Sequence, residues 1–333
     1  MIAVYHSPMP TLRDHLETGS ARLMTSPWPW RWALVLAAID IAWLALGPIG
    51  LAPASIAVLI ANGLIASMLF VTTDSFTQRP KLGFFIEGFV FLAFTFPYLR
   101  LLNHLSMSVP LPLADPMLAS WDRAIGFDWL AYLHWADDHP LLLQAMSASY
   151  SGLTGYTTLL FLLLAISPHG QQRCLELVRL FMLAGVTCMT LGLFFPAVAA
   201  MQFHAPPAGS FVHFNSETGA YHLAHLQALR GNPQHIVDLL SVPGLVTFPS
   251  FHTAMGIIGI WCARGNTWLF APVLAVNGLM IASTPIYGSH YGIDVIGGAL
   301  VAICAIAWLE RAGIARPTLA AQSKLAGITS PAA

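Results

Sequence analysis

Charge is the scarcest ingredient of this chain. Asp, Glu, Lys and Arg make up 9% of its 333 residues, against about 25% in soluble domains, which excludes an ordinary soluble fold. The net charge of −1 leaves no basic surface for a nucleic-acid partner. Cysteine is equally sparse: Cys174, Cys188, Cys262 and Cys304 lie in or beside apolar stretches, without metal or disulfide spacing. They read as small buried hydrophobes. No internal repeat and no H-E-x-x-H zinc pattern occurs. Apolar side chains are abundant instead, at 56% of residues with a mean hydropathy of +0.68. That composition specifies an all-α, polytopic integral membrane protein.

Eight segments are long or apolar enough to cross a bilayer, near 30–48, 51–72, 83–105, 141–166, 175–197, 250–264, 267–284 and 290–310. A crossing takes about 20 residues, so the sixth is short and is expected to be tilted or partly sunk in a polar cavity. The N-terminal 29 residues hold Arg13 and Arg22 and lack a small-residue cleavage site. The first span is therefore expected to be retained.

Eight spans put both termini on one side. Eleven basic residues then share the terminal side: Arg13, Arg22, Arg31, Arg79, Lys81, Arg173, Arg179, Arg264, Arg311, Arg316 and Lys324. Only Arg100, Arg123 and Arg230 face the other way. The bias predicts cytoplasmic termini, with segments 106–140 and 198–249 outside; the expected location is a bacterial inner (plasma) membrane. Segment 111–138 mixes Trp121, Trp129, Tyr132 and Trp135 with acids, which suggests an interfacial helix over the outer mouth or a soluble lid. Segment 198–249, with Pro206, Pro207, Pro233 and Pro243, reads as an irregular cap. Trp28, Trp30 and Trp32 read as an interfacial belt.

Two polar islands interrupt the later spans. GSHYGIDVIGG carries His290, Tyr291 and Asp294; FPSFHTAMG carries Ser250 and His252. Asp294 follows His290 by four residues, one helical turn, so its carboxylate can accept the imidazole N–H and raise the basicity of the other nitrogen. Both islands sit at expected helix starts on the outer side, where free N–H groups favour an anion. Two imidazoles and a hydroxyl there make a phosphate site, in which one histidine attacks phosphorus and the other delivers a proton. The remaining outer histidines, His204, His213, His222, His225 and His235, lack clustered cysteine or carboxylate; they read as solvated loop residues, not as metal ligands. Asp40 and Glu87, in apolar surroundings, read as interhelical hydrogen-bonding or protonated groups before any proton path.

The stretches Phe248–Gly256 and Ser283–Asp294 resemble the second and third motifs, P-S-x-H and S-R-x5-H-x3-D, of the type 2 phosphatidic acid phosphatase superfamily. Pro249, Ser250 and His252 match the first of these, and Ser283, His290 and Asp294 the second, with internal spacing intact. Tyr291, and Phe251 where the phosphatases usually have glycine, point toward the branch containing inositol phosphorylceramide synthases. The resemblance implies a six-helix catalytic membrane core over 83–311, preceded by an N-terminal part with two extra transmembrane helices (1–82) and followed by a tail (312–333) expected to be disordered from Pro317. It also implies His290 as the nucleophile that becomes phosphohistidine, Asp294 as its orienting partner and His252 as general acid–base. Ser250 and Ser283 would contact phosphate oxygens. No metal or other cofactor is required.

Two departures from that pattern stand out. Thr284 occupies the place of the third motif's arginine, and no K-x6-R-P first motif exists; Arg79-Pro80 falls on the cytoplasmic side. Phosphoryl transfer needs a cation for the equatorial oxygens, so Arg230 is the expected substitute, with Arg123 and Arg100 in reserve. So little positive charge suits a phosphodiester or headgroup-bearing lipid at least as well as a dianion. The expected partners are membrane lipids: a lipid phosphate or phospholipid substrate, and a lipid acceptor if the enzyme is a transferase. Phosphatase, headgroup transferase and non-enzymatic lipid transporter are the three readings.

Overall fold

The computed structural model describes residues 28–72, 80–167 and 170–312. Arg13, Arg22, Arg79, Arg316, Lys324 and the tail from Pro317 lie outside the described residues. Each of the eight apolar segments contains helix. They are α1 (Trp28–Leu46), α2 (Pro53–Thr72), α3 (Pro80–Ser108), the pair α6 (Pro140–Ser151) and α7 (Leu153–Ile166), α8 (Gly170–Phe194), α12 (Phe251–Ala263), α13 (Thr267–Tyr287) and α14 (Gly292–Arg311). Six are long and apolar enough to cross a membrane, and α6 with α7, bent by 67°, make a seventh if counted as one span. The protein is an all-α, polytopic membrane protein.

Helix α12 stops at 13 residues for identifiable reasons. Ser250 caps its start by accepting from the Thr253 N–H, and Gly265 turns the chain left-handed (φ 80°) just past its end. Enclosed by α8, α13 and α14, it need not match the bilayer thickness, because protein and not lipid surrounds its ends. The centre of the bundle is α8, on which Leu177, Val178, Leu180, Ala184 and Cys188 are fully buried. Cys174 and Cys262 are buried too, whereas Cys304 is exposed, so only three of the four cysteines behave as core residues.

Segment 111–138 is not one helix. Gly126 (φ 75°) breaks it into α4 (Asp115–Ala124) and α5 (Trp129–Asp137), the second capped by Asp128. Both pack inward: Trp129 is 2% exposed and donates to the Pro285 carbonyl at 2.9 Å. Segment 198–249 holds α9 (Ala200–His204), α10 (Ser216–Ala220), α11 (Leu223–Gly231) and the strand pair β1 (Gly50–Leu51) with β2 (Ile236–Val237). That pairing puts the α1–α2 turn on the same side as this cap.

In α1, Trp30 is not an exposed belt residue. Its indole is 3% exposed and donates to Glu87 Oε1 at 3.1 Å, which accounts for that buried carboxylate. Trp32 is 52% exposed. Neither oxygen of the buried Asp40 has a hydrogen-bond partner among the described residues.

Candidate active site

The histidine loop lies between α13 and α14. Asp294 is the third residue of α14, and its Oδ2 accepts from the Tyr291 N–H at 3.0 Å and from His290 Nδ1 at 3.2 Å. One carboxylate therefore caps the helix and fixes the ring. In the tautomer that carries its proton on Nδ1, Nε2 is the accepting nitrogen, and it stands 3.4 Å from Ser250 Oγ. Ser250 is brought there by a second link, its N–H donating to the Asp294 carbonyl at 3.0 Å. The two helices can approach because Gly298 has no side chain: a Cβ there would stand 2.2 Å from the Ser250 carbonyl.

Two carboxylates from α4 hold this loop from outside. Asp122 accepts from Gly292 N at 2.9 Å and Ile293 N at 2.7 Å, satisfying the start of α14. Asp115 accepts from the buried Tyr291 hydroxyl at 2.8 Å and from Val198 N at 3.0 Å. Burial pushes both carboxyls above the usual carboxylate range, while these hydrogen bonds pull the other way. Ser289 adopts φ 54°, a left-handed turn that costs a non-glycine residue about 1–2 kcal/mol. The turn lets its carbonyl accept from Ala200 N at 2.8 Å and its hydroxyl from Met201 N at 2.7 Å. The histidine loop and the cap are thus tied to each other and to α4.

His290 and His252 line one cavity of about 470 Å³. The His252 ring stacks on Tyr150, centroids 4.1 Å apart and planes 11° from parallel. A Cβ added to Gly288 would lie 2.5 Å from His290 Cδ2 and 2.6 Å from the Tyr150 hydroxyl, so Tyr150 bridges the space between the two imidazoles. The wall also carries Arg100, Asn103, Tyr221 and His222. Among the lining residues Arg100 alone bears a permanent charge. Its Nη1 donates to the Leu239 carbonyl at 2.7 Å.

The structure does not bring the expected cation into this cavity. Arg230 turns the other way, donating to the carbonyls of Val109 at 3.2 Å and Leu111 at 2.6 Å, and Arg123 ends α4 as an exposed residue. Arg100, the reserve, occupies the wall because it stands on α3, which α11 and α8 pack against. Ser283 and Ser250 are also absent from the lining: the Ser283 hydroxyl donates back to the Met280 carbonyl at 2.6 Å, and the fully buried Ser250 has its hydroxyl on His290 Nε2. His222 is no solvated loop residue: it is 3% exposed, in the cavity wall, with Nε2 on the Val198 carbonyl at 3.1 Å. Burial holds its imidazole below the ordinary histidine range, against the opposing pull of that bond.

Tyr150, Tyr221, Asp115 and Asp122 were not legible as site residues. Only Asp115 and Asp122 carried a signal, being acids a helical repeat apart (seven residues) in an otherwise apolar segment.

Fold and site together define a helical membrane protein with a buried histidine–aspartate pair opening into a cavity that holds a second imidazole and a guanidinium. The profile of the PAP2 superfamily matches residues 116–308, more than half of the chain, and the protein belongs to that superfamily. Comparisons with curated proteins and with solved structures give no match. The matched region runs from the second residue of α4 through nearly all of α14 and includes every histidine and serine discussed above. Membership brings phosphatase- or phosphotransferase-type chemistry on a phosphorylated substrate.

Proposed function

We propose that the protein transfers the phosphoryl group, or the phosphorylated headgroup, of a membrane lipid through a phosphohistidine at the outer face. The observation that carries this reading is the His290 ring, held at Nδ1 by Asp294 and at Nε2 beside Ser250 Oγ, in the wall of the cavity that also holds His252 and Arg100.

In the first half-reaction Nε2 of His290 attacks phosphorus. The N–P bond forms as the bond to the leaving oxygen breaks, and protonated His252 gives that oxygen its proton. Asp294 stabilises the positive charge that develops on the imidazole. Arg100 and the Asn103 amide in the cavity wall meet the equatorial oxygens. In the second half, neutral His252 takes a proton from water or from a lipid alcohol as that oxygen attacks phosphorus and the N–P bond breaks. A single guanidinium beside neutral hydroxyl and amide groups favours a singly charged phosphodiester at least as much as a dianion, and so supports the transferase form, as in the inositol phosphorylceramide synthase-like branch, alongside the phosphatase. The outward orientation rests on the eleven-to-three distribution of basic residues and the positive-inside rule.

The test uses purified protein in lipid vesicles with radiolabelled phosphatidic acid and, separately, phosphatidylinositol with a ceramide or diacylglycerol acceptor. Rapid quenching should trap an acid-labile, base-stable phosphoenzyme in the wild type and none in His290→Ala. Turnover by His290→Ala, or label recovered on another residue, would refute the assignment.

A further inference from the structure

The one permanent charge in the catalytic cavity stands outside the region matched to the superfamily: the match begins at residue 116, and Arg100 belongs to α3. No carboxylate among the described residues pairs with it. Its Nη1 donates to the Leu239 carbonyl at 2.7 Å, and the cation lies 5.5 Å from the centroid of the Phe96 ring. A guanidinium held by a neutral carbonyl keeps its full charge for an anion, so the place of that carbonyl decides where the charge points.

Leu239 is fixed from the far side by α2. Ser55, in the first turn of α2 and fully buried, accepts from the Leu239 N–H at 2.8 Å and donates to Asp238 Oδ1 at 3.1 Å. Ser55 and Arg100 therefore hold the N–H and the carbonyl of one residue. The same stretch is joined to the α1–α2 turn: Gly50 N donates to the His235 carbonyl at 3.0 Å and Ala52 N to the Val237 carbonyl at 2.9 Å. Ile49, from that turn, is buried in one apolar cluster with Leu101, Leu105 and Leu239. A few residues beyond Leu239, the stretch 243–247 forms cavity wall, and Leu245 N donates to Asn103 Oδ1 at 2.9 Å. Residues 235–247 thus make a strap, with the α1–α2 turn on one side and the catalytic cavity on the other.

We infer that the α1–α2 turn positions the cavity's cation, with Ser55 as the positioning residue: its hydroxyl orients Leu239, and Leu239 aims Arg100 at the equatorial oxygens of the transferred group. The inference rests on the reading of Arg100 as the phosphate-binding cation. It gives the first two helices, which lie outside the superfamily match, a part in the reaction.

The experiment measures kcat and KM of the purified full chain, with phosphatidic acid or with phosphatidylinositol and an acceptor, in a double-mutant cycle of Ser55→Ala and Arg100→Ala. Ser55→Ala should lower kcat/KM about tenfold, chiefly through kcat, because a loosened guanidinium still binds phosphate but meets the transition state less well. In the Arg100→Ala background the same substitution should cost nothing further. Asn62→Ala is the control: it removes a bond from α2 to the Ala93 carbonyl of α3, 3.2 Å long, without touching the strap, and should leave kcat/KM unchanged. Asp238→Ala, which takes away the acceptor of the Ser55 hydroxyl, reads the same cycle if Ser55→Ala does not fold. Equal losses in both backgrounds, or no loss in the folded variant, overturn the positioning role and leave Arg100 as the cation. An Arg100→Ala protein with wild-type kcat/KM, or a wild type that turns over neither lipid, overturns both readings.

Discussion

The imidazole of His252 lies flat against the phenol ring of Tyr150, 4.1 Å away and 11° from parallel. The stack holds the ring in one orientation, and in the proposed mechanism that orientation sets where His252 delivers its proton. Tyr150→Ala should therefore lower kcat about 10–100-fold for a lipid alkoxide leaving group. The loss should be smaller for a p-nitrophenyl leaving group, which needs no proton. Tyr150→Phe keeps the stack and most of the rate. Equal losses for both leaving groups would contradict the role given to His252.

Asp294 Oδ2 meets His290 Nδ1 and also caps α14. Asp294→Asn keeps the size but offers the ring an ambiguous partner, and kcat should fall by about 10⁴ in steady-state assays. Asp122 acts one step further out, through Gly292 N and Ile293 N. Asp122→Ala should lower kcat about tenfold with little change in KM, because the loop moves while the binding cavity stays.

Arg100 lines the cavity and Arg230 does not. Arg100→Ala should reduce kcat/KM about 100-fold, with Arg100→Lys recovering part of it. Arg230→Ala should instead lower the melting temperature, since it strands the Val109 and Leu111 carbonyls, while the folded fraction keeps its kcat/KM. The reverse pattern would return the cation role to Arg230.

His222 is buried with its pKa below the ordinary value. Unfolding the cap raises that pKa back toward about 6.5, so the open state binds the extra proton. The stability contributed is complete above about pH 6.5 and is lost as the pH falls below it toward the lower, folded-state pKa. The protection factors of amides in segment 216–231, observed exchange corrected for the intrinsic rate at each pH, should fall between pH 7 and pH 5, and His222→Phe should flatten that dependence. Protection factors that fall equally with pH in both proteins would remove His222 as the cause.

Much of the architecture was readable from one dimension. Long apolar runs admit only helices in a bilayer, because each segment must satisfy its own backbone; all eight apolar segments contain helix. The i,i+4 spacing of His290 and Asp294 is equally local, and the two do meet. The misplaced elements are the non-local ones. Arg230 occupied the right stretch of chain for a phosphate cation, yet a chain position says nothing about which way a loop side chain turns. His222 looked like one of several loop histidines until the cap folded over it. Segment 111–138 was aromatic enough for an interfacial helix, but Asp115 and Asp122 draw α4 inward by accepting buried N–H and O–H groups.

The sequence by itself determined the class of molecule, the helical spans and the histidine–aspartate pair, because hydropathy and helical spacing act over short separations. Tertiary structure alone decided which arginine reaches the cavity, that Tyr150 seats His252, and that His222 joins the cavity wall. Those outcomes depend on how α3, α7 and α12 pack, and packing partners far apart along a chain leave no periodic mark in its order of residues.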